Sequence, residues 1–182
     1  MILHEQITTG RMGLVQPRDE DKLVSICSLL AGDRLYGMDT RYIREVLGQQ
    51  TPKSVPLAPH YIAGVLPYRG DVLTVVSFRA LFGLAPAEEP GCVLVIKSSN
   101  AEEPYGLLVD SVGGVVMFDQ RSFTANPSTL DDIGKALYSG AFRVDKGLLI
   151  QLDPERMRPS RLAEAGLFLN RTTSQEETRC AS

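Results

Sequence analysis

The 182-residue chain has no tryptophan, two histidines and three cysteines, and each scarcity excludes something. The histidines are His4, in a polar N-terminal stretch, and His60, beside Pro59 in a loop. A lone loop histidine reads as structural or solvated rather than catalytic. No H-E-x-x-H, G-x-S-x-G, Walker loop or G-x-G-x-x-G occurs, and Gly134-Lys135 lacks the flanking residues of a phosphate loop. Asp131-Asp132 reads as a solvated pair or a helix start rather than a metal site. Cys27, Cys92 and Cys180 are odd in number, widely spaced and without a C-x-x-C, so they form no disulfide framework and no zinc site. They read as reduced thiols of a cytoplasmic protein, Cys27 and Cys92 buried. Long apolar runs are missing: none approaches the ~20 residues of a membrane helix. MILHEQITTGRMG has no apolar core of a signal peptide. Positive charge is also not in excess. With 19 Lys+Arg against 22 Asp+Glu, the net charge is −3, which argues against nucleic acid and against an anionic membrane surface. The sequence therefore calls for no catalytic residue, no cofactor, no metal and no membrane insertion.

What the chain does hold is a series of short β-prone runs. LVSICSLLAG and DRLYGMD read as two strands turning at Gly32-Asp33. TRYIREVLG fits either a short helical turn or a strand, because its apolar period is ambiguous. Pro52, Pro56 and Pro59 make TPKSVPLAP an extended connection. Tyr61 to Leu66 and Val72 to Val76 form a hairpin with Gly70 free to take a positive φ. SFRALFGL then reads as one or two helical turns. The Pro-rich APAEEPG, residues 85–91, is the expected boundary between two halves.

CVLVIKS begins the second half as a strand buried on both faces. PYGLLVDSV and GVVMFDQ follow, with a turn or bulge at Gly113-Gly114. LYSGAFRV and GLLIQL form a hairpin through Asp145-Lys146-Gly147. Asp153-Pro154 is expected to cap a helix through Met157 that Pro159 interrupts or restarts. Asp110, ending LLVDSV, is expected to cap the turn that follows it rather than to act as a base. Residues 1–21 read as a flexible arm and residues 170–182 as a disordered tail, with one ordered domain over 22–169. Roughly ten short strands and few helices make an all-β fold of sandwich or barrel type. Two packed β-barrels leave a groove and exposed sheet edges, natural docking surfaces for a helix or strand.

One feature resists composition alone. In PYRGDV a charged Arg69 tips an apolar hairpin, where a turn arginine would by itself read as solvated. The order YGMD, IREV, P-x-A-P-x-Y-I-x-G-V, Y-R-G-D-V-L-x-V-V and LFG, then YGLLVDSVGGVV, NP and YSGAFRVDKGLLIQLD, resembles the CheW-like domain of bacterial chemosensory systems. The resemblance covers about residues 22–157. It implies two intertwined five-stranded, SH3-like β-barrel subdomains sharing a hydrophobic core. It also implies a non-enzymatic, stand-alone adaptor that binds the cytoplasmic tip of methyl-accepting chemoreceptors and the regulatory domain of the chemotaxis histidine kinase. Such a protein is cytoplasmic and meets the membrane only through receptor arrays.

Carried onto this chain, the resemblance makes Arg69 a receptor-facing contact and puts Ile43, Glu45, Gly64 and Val65 around the binding surfaces. Each also has a plainer reading: Ile43 as core, Glu45 as a solvated face, Gly64 as a purely conformational need, Val65 as buried area beside Leu66. The chain departs from the family where Pro67-Tyr68 replaces the common Asn-Leu before Arg-Gly, and where Ser77 replaces an acidic residue. These departures bear on partner choice, and a divergent pathway controlling pili or surface behaviour is one alternative. The alternative from another class is a small-molecule-binding β-barrel, which requires a pocket with convergent polar groups between the halves.

Overall fold

The computed structural model describes residues 23–97, 103–125, 136–144 and 147–165. The expected arm and tail, Asp131-Asp132, Gly134-Lys135 and Asp145-Lys146 lie outside the described residues. Strand β1 (Leu23–Ala31) turns through Gly32-Asp33 into β2 (Arg34–Asp39). The ambiguous TRYIREVLG stretch is both things at once, a 3-10 turn over Thr40–Tyr42 and then β3 (Ile43–Gln49). Asp39 makes the switch. Its carboxylate accepts the Arg41 backbone N–H at 2.9 Å and the Arg41 guanidinium at 2.7 Å, satisfying a donor the short helix leaves open.

The Pro-rich connection adds only one bridge, Lys53 to Val65. Strands β4 (Ile62–Tyr68) and β5 (Asp71–Ser77) are the expected hairpin, and β5 runs into α1 (Phe78–Leu81). Ser77 Oγ accepts the Ala80 N–H at 3.2 Å. A serine thus caps this helix as well as a carboxylate would, which gives the Ser77 departure a structural reason. Strands β6 (Cys92–Ile96), β7 (Tyr105–Val109), β8 (Ser111–Asp119), β9 (Phe123–Thr124), β10 (Tyr138–Val144) and β11 (Gly147–Leu152) follow, then α2 (Pro159–Glu164). Asp153 caps a turn by accepting the Glu155 N–H at 3.0 Å, but the helix starts only at Pro159. Gly113-Gly114 does not divide one strand from the next; it is a bulge inside β8, where the register with β1 shifts between Cys27 and Leu29.

Among the described residues, eleven strands form two sheets, ordered β8-β1-β2-β11-β10-β9 and β3-β6-β7-β5-β4. Residues 85–91 join α1 to β6 without a change of sheet. The chain changes sheet at Asp39–Ile43 and again at Asp110. The six-stranded sheet is therefore built from both ends of the domain, which makes the two subdomains intertwined. In the five-stranded sheet, Leu47 of β3 and Ala63 of β4 pack on one buried cluster with Leu73, Val75, Val93 and Val95. Those are the two edge strands, so the sheet curls until its edges share an interior. Ile26, Phe142 and Leu149 form the smaller interior of the other sheet. A third and larger cluster, including Leu29, Tyr36, Met38, Phe78, Ile96 and Tyr105, lies between the sheets.

The two sheets repeat one pattern. Strands β3-β6-β7-β5-β4 correspond to β8-β1-β2-β11-β10, with antiparallel, antiparallel, parallel and antiparallel pairing in both. Gly37 and Gly106 hold matching places. A Cβ on Gly37 would strike Leu149 and Ile26, and one on Gly106 would lie 2.9 Å from Val93. The letters between them diverge, so the repeat is visible in the sheet order and hidden in the sequence.

Asp110 stands at the second crossing and ties three elements. It accepts the Gly32 N–H in the β1–β2 turn at 2.8 Å, and Arg79 Nε and Nη2 from α1 at 2.6 and 2.7 Å. The turn it caps is thus not the following one but one 78 residues earlier. Arg79 also donates to the Ala85 carbonyl. The Arg79 hydrogen bonds, joined by the Gly32 N–H, hold the Asp110 carboxyl below its ordinary pKa against the opposing effect of burial. A depressed carboxylate stabilises the fold above its unfolded pKa, and that contribution is lost as pH falls through the folded value. Asp110→Asn is expected to cost about 2 kcal/mol near neutral pH. The gap to wild type should narrow below about pH 4, as urea titrations at both pH values would record.

Candidate functional site

The β4–β5 hairpin pairs Tyr68 with Asp71 across a two-residue turn of Arg69 and Gly70. Their φ angles are +51° and +90°, the positive pair that matches the right-handed twist of the strands. Gly70 takes this conformation freely. Arg69 does not, since a non-glycine residue there carries backbone strain. Pro67 is tolerated because β4 is the outer strand of its sheet.

The turn brings Arg69 onto β3. Its Nη2 donates to Glu45 Oε2 at 2.9 Å, and the Tyr68 hydroxyl donates to the same oxygen at 2.8 Å. The guanidinium lies 5.3 Å from the centre of the Tyr68 ring. Glu45 and Tyr68 sit on β3 and β4, at opposite ends of the sheet order, so this cluster also draws the two edges together. The Tyr68 hydroxyl first, and Arg69 second, hold the Glu45 carboxyl below its usual pKa. Burial first, and the bond to Glu45 second, push the Tyr68 hydroxyl up. The Arg69 side chain remains 66% exposed against 8% for Tyr68, so the tyrosine is a support and the arginine faces out. Beside them lies an open cavity of about 490 Å³ bounded by Arg44, Arg69, Val72 and Pro104.

The sequence-derived site residues divide into two groups. Arg69 and Glu45 meet, and the solvated readings of both give way to a paired one. Gly64 and Val65 serve the neighbouring contact: Lys53 and Val65 exchange N–H···O bonds of 2.9 Å. At Gly64, with φ +141°, an added Cβ would run into the Lys53 carbonyl, so its demand is conformational. Ile43 is half-buried and packs against the cluster between the sheets.

Two features escaped the sequence reading. One is Tyr68, whose hydroxyl makes the hub. The other is β8, an outer strand of its sheet on which Val115, Val116 and Met117 are 60%, 46% and 61% exposed. Across the row Asp39–Ile26–Val116 this stretch lies two strands, about 10 Å, from the point where the chain leaves for β3. Its signal in the sequence is an apolar run following two glycines.

A cleft of about 520 Å³ does lie beside the sheet crossing, walled by Tyr36, Phe82 and Tyr138. Of the two arginines that line it, Arg34 and Arg79, the second is bound to Asp110 and to the Ala85 carbonyl. Among the described residues, no three His, Cys, Asp or Glu side chains gather as metal ligands would, and no helix is long and apolar enough to cross a membrane.

Residues 26–161 match the family model described as "CheW-like domain". The chain belongs to the CheW-like family. It is 27% identical over 134 residues to "Chemotaxis protein CheW" of Rhizobium meliloti, covering 74% of this chain and 86% of that one. It is 25% identical over 140 residues to the protein of the same name from Thermotoga maritima, covering 76% and 90%. Among solved structures it resembles the scaffolding protein TtCheW from Thermoanaerobacter tengcongensis, with a TM-score of 0.64 at 23% identity over 71% of this chain and 88% of that one. The shared fold is the two-subdomain all-β architecture described above.

Gly64→Ala is expected to cost at least about 2 kcal/mol through backbone strain and the approach to Lys53. Chemical denaturation measures this. The spectroscopic signature of the folded fraction should stay unchanged.

Proposed function

We propose that the chain is a non-enzymatic cytoplasmic adaptor that couples chemoreceptors to a chemotaxis histidine kinase. The observation that carries the reading is the half-tethered Arg69, an outward-facing cation at the tip of a hairpin. Membership of the CheW-like family and the likeness to a scaffolding protein support it. The cytoplasmic tip of a receptor is the partner for the Arg69 face, where a planar guanidinium meets carboxylates or backbone carbonyls. Glu45 orients that arginine; Ile43, Gly64 and Val65 hold the strands behind it. The regulatory domain of the kinase is the second partner. The apolar edge of β8, unpaired among the described residues, offers a separate surface of the kind that such contacts bury.

The test is co-sedimentation of the full chain with a receptor cytoplasmic fragment and a kinase regulatory domain. Arg69→Glu should lower receptor binding roughly tenfold or more while shifting Tm by no more than about 3 °C. Met117→Asp should weaken one partner and spare the fold, because the side chain is already exposed. Undiminished receptor binding by the Arg69→Glu protein would remove Arg69 from the contact. A pathway serving pili or surface behaviour would appear as selective binding of that system's receptor.

A further inference from the structure

We infer that Tyr68 is a positioning residue that presents Arg69 to the partner. The inference rests on the adaptor reading above and adds a specificity determinant to it. The turn itself gives no reason for an arginine. Its first position has φ +51°, where Gly, Asn or Asp is cheaper, so the side chain and not the backbone explains the choice. An arginine with four rotatable bonds would lose much freedom on contacting a partner. Here two contacts already restrict that freedom. The Tyr68 ring, 8% exposed, lies under the guanidinium at 5.3 Å, and Glu45 Oε2 holds one corner at 2.9 Å.

Tyr68 also fixes the holder. Its hydroxyl donates to that same Glu45 oxygen at 2.8 Å. Glu45 is itself partly exposed, 39% for its side chain, and reaches over from another strand. Without the phenol it would be one end of a surface ion pair, which alone gives little order. With it, one carboxylate oxygen accepts from two donors, and the aromatic ring lies under the guanidinium. A fork of five N–H donors with one corner tethered still presents an outward edge. That edge suits a partner carboxylate, and its immobilisation beforehand reduces the entropic cost of binding.

Tyr68→Phe keeps the buried ring and the contact with the guanidinium but removes the donor to Glu45. The experiment uses the full chain labelled with 15N. In wild type the Arg69 Nη–H resonances should be resolved and slowed in rotation and solvent exchange by the bond of Nη2 to Glu45; in Tyr68→Phe they should exchange at least several-fold faster. Binding of a receptor cytoplasmic fragment should weaken roughly fivefold, and Tyr68→Phe should add nothing further in an Arg69→Lys background. A purely structural role for Tyr68, closing the sheet edges, predicts a different result. Tm would fall, while the Arg69 resonance and the affinity of the folded protein stayed unchanged, and this would overturn the inference. If wild type bound no receptor fragment, the adaptor reading would fail, and the resonance measurement would still decide whether Tyr68 orders Arg69.

Discussion

The apolar layer between the two sheets is the constraint to which the rest of the structure answers. Tyr36, Phe78, Phe82 and Tyr138 stack there with ring centres 4.5–6.2 Å apart, drawing on β2 and β10 of one sheet and on α1 and its flank beyond the other. A layer supplied from both sheets couples their stabilities, since uncovering one face uncovers the other. It also forces the chain to cross between sheets within very few residues. Both crossings are made at an aspartate. Asp39, 3% exposed, folds the chain through a 3-10 turn, and Asp110 reverses it beside Arg79 and Gly32. Short polar side chains that accept backbone N–H groups suit such corners, because buried donors left open would cost more than the turn gains.

Repetition of the sheet pattern makes the differences between the halves informative. Ile43-Arg44-Glu45-Val46 on β3 and Val112-Gly113-Gly114-Val115 on β8 occupy matching edge strands, each at a register shift. Ile43 and Val112 both pack on the shared layer. Between those anchors one half carries a charged pair and the other two glycines. The first edge is drawn against its own hairpin through Glu45 and Tyr68. On the second, the bulge is held by Ser28 Oγ donating to the Gly114 carbonyl at 2.9 Å, and the following valines and methionine are exposed. One architecture thus yields two chemically unlike surfaces, polar and oriented on one side, apolar on the other.

The fold was legible in the sequence wherever local chemistry decides it. Alternation, Gly32-Asp33 and Gly70 mark strands and turns from nearest neighbours alone. Long-range features were not legible. The 85–91 break looks like a boundary because proline and glycine punctuate locally, yet sheet membership follows from which apolar faces meet. The destination of Asp110 was hidden for the same reason: its strand end declares an N–H acceptor but not whose N–H. At the site, Arg69 and Glu45 could be named only by resemblance, since 24 residues separate them and no periodicity connects them. Tyr68 was noticed as a departure, and its role depends on a curl of the sheet that no spacing reveals.

That curl explains why the hairpin needs a rigid register. Tyr68 faces the interior of its sheet while its neighbours Pro67 and Arg69 are exposed. A slip of one residue would turn the ring outward and bring a charge or a proline inward. The register is held at both ends of the hairpin, by the turn at Arg69-Gly70 and by the irregularity between Ile62 and Gly64 where Lys53 closes in. Gly64 therefore acts on Arg69 without touching it, by counting residues correctly along β4. Its conformational demand and its place near this cluster are the same physical fact: the backbone at Gly64 determines which side chain arrives opposite Glu45, and only the present register delivers the hydroxyl of Tyr68 and the guanidinium of Arg69 to one carboxylate oxygen.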